Sequence, residues 1–428
     1  MPGVLGIAAA FLASALLSCE LQRPEPFRTI SYHDEARGIR LSDDERALLA
    51  AARRTFERAG RPAPELDYSL VAAARDLALL YYERGTQGGG KLRNETVQEV
   101  LLDAGVTDAR FFTTMAGGTG RDALEKTLSE SIRGQAGADG YSHAGIGVVR
   151  RGFPRVRVMV AVFTQRIAAL GPFPKFLDAG DSFALQGRVE PGFEHLSVLL
   201  TRPDGGVVQV HPVMDEKREF LVALPIDRER KGRYTVEVEM EGAAGPEVAA
   251  LFPVDYRERA LSGTFVASTA AARAGVLHRA EDEPVLSESQ AEAKLLELIN
   301  QERDKRRLIA LVPEPSLAAL ARAHSRDMRD RDFVGHVSPD AGDLPRRAKA
   351  AGLDYRKVGE CIALNSSIRA AHGSLMESPA HRGNILDPDY RFVGIGVVRQ
   401  TLGKGDDVQY LVTEDFADEV RATRPAAP

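Results

Sequence analysis

Apolar positions recur at helical spacing through "DERALLAAARRTFERAG", and Ser42 with Glu45 three residues on predicts a capped helix that closes at Gly60. A second helical stretch, "YSLVAAARDLALLYYERG", should stop at Gly85. After "TQGGG" the pattern predicts a further helix, a Gly-rich loop, a helix near 121–133, and the strands "HAGIGVVRRG" and "RVRVMVAVFTQ". Between 172 and 256 the period changes to alternation: "SFALQGRVE", "LSVLLTRPDGGVVQVHPV", "EFLVALPI" and "GRYTVEVEME" are short runs divided by turn signals. That stretch is expected to be an all-β sandwich of immunoglobulin type. Beyond an Ala- and Arg-rich connection at 257–285, Ser289 with Glu292 predicts another capped helix. The helical "PEPSLAALARAHSRDMRDRDF" follows, then loops, then the strands "FVGIGVVRQ" and "VQYLVTEDFA".

The two helical regions repeat one another. Leu48-Leu49 precedes Leu70 of "SLVAAAR" by the same 22 residues that separate Leu295-Leu296 from Leu317 of "SLAALAR". "GIGVVR" then recurs at Gly145 and at Gly394, 70 residues after Arg75 and 72 after Arg322. Three anchors in one order at nearly constant spacing argue for a duplicated α/β unit around a β spacer.

The first residues stand apart. Val4 to Leu17 is an almost unbroken apolar run, short for a membrane span and suited to a signal peptide. It ends in "LLSC", which resembles a bacterial lipobox and makes Cys19 the expected lipidation site. With Glu20 next, the expected address is the cell envelope, lipid-anchored at the outer membrane, followed by a polar tether over 20–41. If Cys19 carries lipid, Cys361 has no intramolecular disulfide partner, and the fold must rest on its cores. A net charge of −5 without a dense basic block gives no reason to expect a nucleic-acid partner.

Candidate chemistry gathers in the second unit: His336 in "GHVSP", Glu360 in "GECIA", Glu377 in "MESP" and His381 in "SPAHRGNIL". Two imidazoles with carboxylates suit a divalent ion such as zinc, and equally a base with its orienting group. No HExxH or paired CxxC motif is present. Ser378-Pro379 reads as cap and first residue of a short helix, which favours a neutral His381 near its N-terminus. His324, paired with Asp327, is expected to be structural, His372 to face solvent or have a local role, and Cys361 to be a buried filler beside the site. Carried back by the repeat spacing, the windows for His336, Glu360 and His381 hold no histidine or carboxylate, and only Glu377 finds a match, at Glu130.

The ordered set "LLELINQER", "SLAALARAHSRDM", "GHVSP", "GECIA", "MESPAHRGNIL", "FVGIGVV" and "QYLVTEDF" resembles the CAP superfamily, in its disulfide-free bacterial branch. The resemblance implies an α-β-α sandwich over 286–420; the repeat makes 42–168 a degenerate copy of it, and the β module at 172–256 lies between them. The whole is an α+β multidomain chain. It also implies a cleft lined by His336, Glu360, Glu377 and His381 that holds a divalent ion in several members. The family has no single activity, so the expected function is binding of a metal, lipid or protein partner without established turnover. The alternatives are a metal-assisted hydrolase and a structural envelope protein. Cys361 and Leu375 stand where the family often has Asn and Trp.

Overall fold

The structure is a computed structural model that describes residues 29, 31–33, 36, 38–86, 92, 94–135, 140–151, 156–177, 183–256, 284–331, 333–401 and 408–418. The expected signal segment with Cys19, much of the tether and nearly all of the 257–285 connection lie outside the described residues.

In the N-terminal unit, β1 (Ser31–Tyr32) leads to helix α1 (Asp43–Arg58), capped by Ser42 and Glu45 in a reciprocal capping box. Then come β2 (Glu65–Leu66), α2 (Tyr68–Thr86), α3 (Asn94–Asp103), β3 (Arg110–Gly118), α4 (Arg121–Gln135), β4 (His143–Arg151) and β5 (Val156–Gln165). The sheet order is β2-β4-β5-β3, with β2 and β4 parallel and the other pairs antiparallel. Helices α1 and α4 pack on one face, around Leu48, Phe56 and Leu128; α2 and α3 pack on the other, around Leu70, Leu77 and Val97. The expected Gly-rich loop is in fact β3. It pairs with β5 from Arg110–Gln165 to Gly118–Arg157, a long-range ladder that overrides the weak local signal of "TTMAGG".

The middle unit holds β6 (Ala168–Leu170), β7 (Phe173–Pro174), β8 (Phe176–Leu177), β9 (Ala184–Val189), β10 (Glu194–Thr201), β11 (Val207–Val210), β12 (Glu219–Ala223), β13 (Gly232–Gly242) and β14 (Gly245–Tyr256). Two sheets, β11-β10-β13-β14-β8 and β12-β9-β6, enclose one apolar core that includes Leu185, Val198, Phe220, Val236 and Phe252.

The C-terminal unit contains α5 (Glu288–Lys305), β15 (Val312–Pro313), α6 (Pro315–Arg331), α7 (Leu344–Ala350), β16 (Val358–Asn365), α8 (Ile368–Glu377), α9 (Pro379–Ile385), β17 (Phe392–Thr401) and β18 (Val408–Ala417). Ser287, not Ser289, caps α5, and Gln290 closes the box: the chain turns helical two residues earlier than the Ser289–Glu292 pair suggested. Glu292 has another task, holding Arg322 of α6.

The sheet order β15-β17-β18-β16 repeats that of the N-terminal unit, parallel pair included. A Cβ on Gly394 or Gly396 would overlap the α6 backbone at Leu317 and Arg322; one on Gly145 or Gly147 would overlap α2 at Leu70 and Arg75. Glu292 accepts from Arg322 and from the Val397 N–H, as Glu45 does from Arg75 and the Val148 N–H. Helices α5 and α8 cover one face of this sheet, and α6 covers the other. Among the described residues no helix is long and apolar enough to cross a membrane.

Candidate functional site

Strand β16 is an edge of its sheet, and the candidate site is built along that edge. Glu360, on β16, projects from the α6 face, opposite Asp415 of β18. Its oxygens are both engaged: Oε1 meets His336 Nδ1 at 2.9 Å, and Oε2 pairs with the Arg347 guanidinium from α7. Burial alone would raise the Glu360 carboxyl; the His336 hydrogen bond and the Arg347 charge hold it below its ordinary value. Asp415 is fully buried beside it with no donor facing either oxygen. Burial and the neighbouring Glu360 push its carboxyl well up.

Ser378 ends α8 and caps α9, with Pro379 in the first turn, as its sequence predicts. His381 rises from that first turn. Its Nδ1 lies 2.8 Å from Ser378 Oγ, and loss of solvent followed by the nearby His336 pushes its pKa down to about 3, so the ring is neutral. The rings of His336 and His381 face each other, 6.2 Å between centroids and 22° from parallel. Each has its Nδ1 engaged, and neither Nε2 has a hydrogen-bond partner among the described residues.

The remaining candidates fall elsewhere. Glu377 is exposed at the end of α8; partial burial, then the charges of Glu95 and Glu99 of α3, raise its carboxyl, an effect damped by solvent. His324 is buried, as a structural residue should be, but its contact is the Gly335 carbonyl at 2.9 Å rather than Asp327, which pairs with Arg331. His372, on α8, does not face solvent: only 7% of it is exposed, and burial lowers its pKa. Cys361 is a buried free thiol that burial pushes well up.

Five residues escaped sequence reasoning. Arg347 in "LPRRAKA" carries no distinguishing signal. Glu414 and Asp415 did carry one: adjacent charges inside an apolar strand put one carboxyl on each face of the sheet, and both are buried. The other two belong to the middle unit. Glu237 and Glu239 lie on the outward face of β13, but that face is covered by the C-terminal unit. Glu237 is completely buried and its Oε1 accepts the Ala380 N–H at 3.4 Å; burial dominates and raises its pKa to about 7. Glu239 is raised by burial and held back by His336.

The β13–β14 turn locks this arrangement. The Ala244 carbonyl accepts the Val337 N–H at 2.8 Å, and a Cβ on Gly245, whose φ is +98°, would come within 3.0 Å of His336 Cβ. Arg382 of α9 reaches Thr201 Oγ1 of β10 at 3.1 Å, and Arg110 of β3 reaches the Val334 carbonyl at 2.7 Å.

At the positions matching Glu360–Asp415, the N-terminal unit has Thr113–Val162, and at those matching Cys361–Glu414 it has Thr114–Ala161. The polar set of the edge is therefore absent there.

As a metal centre the donor set falls short. It offers two imidazole nitrogens, while Glu360 is spent on Arg347 and His336, and Glu377 faces other carboxylates. Among the described residues no group of three or more His, Cys, Asp and Glu side chains is arranged to hold a metal ion. A zinc site held by protein alone uses three or four such ligands, so these residues do not fit one.

Comparison with known proteins places the motif region. Residues 296–416 match the Cysteine-rich secretory protein family, CAP. The uncharacterized protein YkwD of Bacillus subtilis is 35% identical over 142 residues, 33% of this chain and 55% of YkwD. The uncharacterized membrane protein YlbC of the same organism is 34% identical over 111 residues, 26% of this chain and 32% of YlbC. The chain thus spans about half of the first relative and a third of the second. An extracellular protein containing a SCP domain from Bacillus anthracis is 17% identical, with a TM-score of 0.28 over 56% of this chain and 82% of that one.

Proposed function

Residues 296–416 being a CAP domain, we propose that the chain is an exported binding protein whose β16-edge cleft holds a peptide segment of a protein partner without chemical turnover. One observation carries the reading: the His336 and His381 rings stand side by side with both Nδ1 atoms engaged, and Glu239 of the middle unit lies beside His336. Such a rim favours a ligand rich in hydrogen-bond donors and positive charge over a lipid tail. Against a hydrolase stands the commitment of Glu360 to Arg347, which leaves it poorly placed to take a proton from water. The N-terminal unit is, in this reading, a degenerate copy of the CAP fold, supported by its matching strand order and lacking the polar edge. The middle unit is of immunoglobulin type, supported by its two sheets around one core. Cys19 is the lipid anchor, supported by the apolar run before it.

The test is fluorescence anisotropy of the full chain with basic, neutral and acidic peptide libraries, beside lipid vesicles and a His336→Ala/His381→Ala variant. Basic peptides should bind and lose affinity in the variant. Binding of vesicles alone, or equal peptide binding by both proteins, would overturn the proposal.

A further inference from the structure

The cleft is not made by the CAP domain alone. Glu237 comes from β13 of the middle unit, from an outward strand position where a glutamate ordinarily meets water. Here it is completely buried against the start of α9, and its Oε2 has no hydrogen-bond partner among the described residues. A carboxylate is not buried this way without consequence for the groups it faces.

Its Oε1 accepts the Ala380 N–H, two residues past Ser378, which is itself only 4% exposed and holds His381 through its Oγ. A serine hydroxyl has one proton to give. If that proton goes to His381 Nδ1, the ring must carry its own proton on Nε2. If it goes to a carboxylate, the oxygen is left to accept, and Nδ1 must carry the ring proton.

We propose that Glu237 is a positioning residue for the cleft, taking the Ser378 proton so that Ser378 accepts from His381 Nδ1–H and the bare Nε2 of His381 is turned to the ligand. The arrangement matches the other histidine, where Glu360 takes the Nδ1–H of His336 directly. One imidazole is oriented by its own domain and the other, through a serine, by the neighbouring one. Both then present acceptors of the same kind, a carboxylate behind each. The β module is on this account part of the site, and the contacts of Ala244 with Val337 and of Arg382 with Thr201 keep it in register. The inference deepens the cleft reading above, but its test needs no ligand.

The measurement is nitrogen-15 NMR of the imidazoles in the full chain at about pH 8.5, where Glu237 is ionised and the ring neutral. A His381→Gln variant identifies the resonances. Wild type should show His381 as the Nδ1–H tautomer. Glu237→Ala and Ser378→Ala should lose that population in favour of Nε2–H, with His336 unchanged. Glu237→Gln, whose side-chain carbonyl still accepts, should restore it, and Glu239→Gln should leave it alone. An Nε2–H tautomer in wild type overturns the proposal, and so does an Nδ1–H tautomer that persists in a cooperatively folded Glu237→Ala protein. If Glu237→Ala does not fold, the wild-type and Glu237→Gln spectra decide. A result against the tautomer leaves peptide binding standing, and absent peptide binding leaves the tautomer assignment standing.

Discussion

Arg347 and Glu360 pair at the edge of the C-terminal sheet with only 5% of either side chain exposed. The guanidinium also donates to the His336 carbonyl at 3.0 Å and to the Gly342 carbonyl at 3.1 Å, so one arginine ties α7, the His336 loop and β16 together.

Removing it as Arg347→Ala strands a buried carboxylate. The expected loss is about 3–5 kcal/mol at neutral pH, measured by urea unfolding. Glu360 is held low in the folded state, so its contribution is present above the ordinary glutamate value and is lost as pH falls through the depressed one. The variant and wild type should therefore converge in acid. A deficit that is flat with pH would show that the arginine acts through its backbone contacts instead.

Glu414 has the opposite sign. It is fully buried on the other face of β18, without a hydrogen-bond partner among the described residues, and burial raises its pKa to about 8. A carboxyl raised on folding leaves stability intact below the ordinary glutamate value and removes it as pH climbs toward 8. Glu414→Gln should be more stable than wild type at alkaline pH, by several kcal/mol if the full shift is realised, and nearly equal to it at acidic pH. Urea midpoints across that range check this, and an unchanged pH slope would refute it.

Close approach of helix and sheet makes another prediction. Gly394→Ala must displace α6, and Gly145→Ala must displace α2, because the added methyl meets backbone rather than a flexible side chain. Each substitution should cost about 1–3 kcal/mol or more, read from thermal or urea unfolding. Gly373→Ala, on an open surface of α8, is the control and should be neutral or slightly stabilising.

Zinc titration by calorimetry tests the donor count. With two imidazoles offered and the carboxylates committed elsewhere, the full chain should give only weak heats that vanish in His336→Ala/His381→Ala. Tight stoichiometric binding would mean that Glu360 or Glu377 swings to the metal, and would reopen the hydrolase alternative.

Much of this was legible along the chain because it is local. Ser42 and Ser378 announce their helices through groups within three residues, and the repeat is visible because both units keep the glycines that let a helix lie on the sheet. That the first unit lacks these residues could be read by counting, and the strand pairing sets Thr113 where the second unit has Glu360. Where sequence reading failed, the deciding contact was distant. Strand β3 exists because β5 pairs with it, and His372 is buried because the C-terminal unit folds over it.

The sequence by itself determined the elements with strong local codes, the recurring motifs of the two helical regions, and which unit holds the site histidines. Tertiary structure alone decided which of the named residues meet. It joined His336 to Glu360 and Arg347, gave Glu377 other carboxylates as neighbours, and brought Glu237 from a different unit to stand behind His381. The physical reason is that alternation along β13 tells which face a side chain takes, but not whether water or another domain lies on that face.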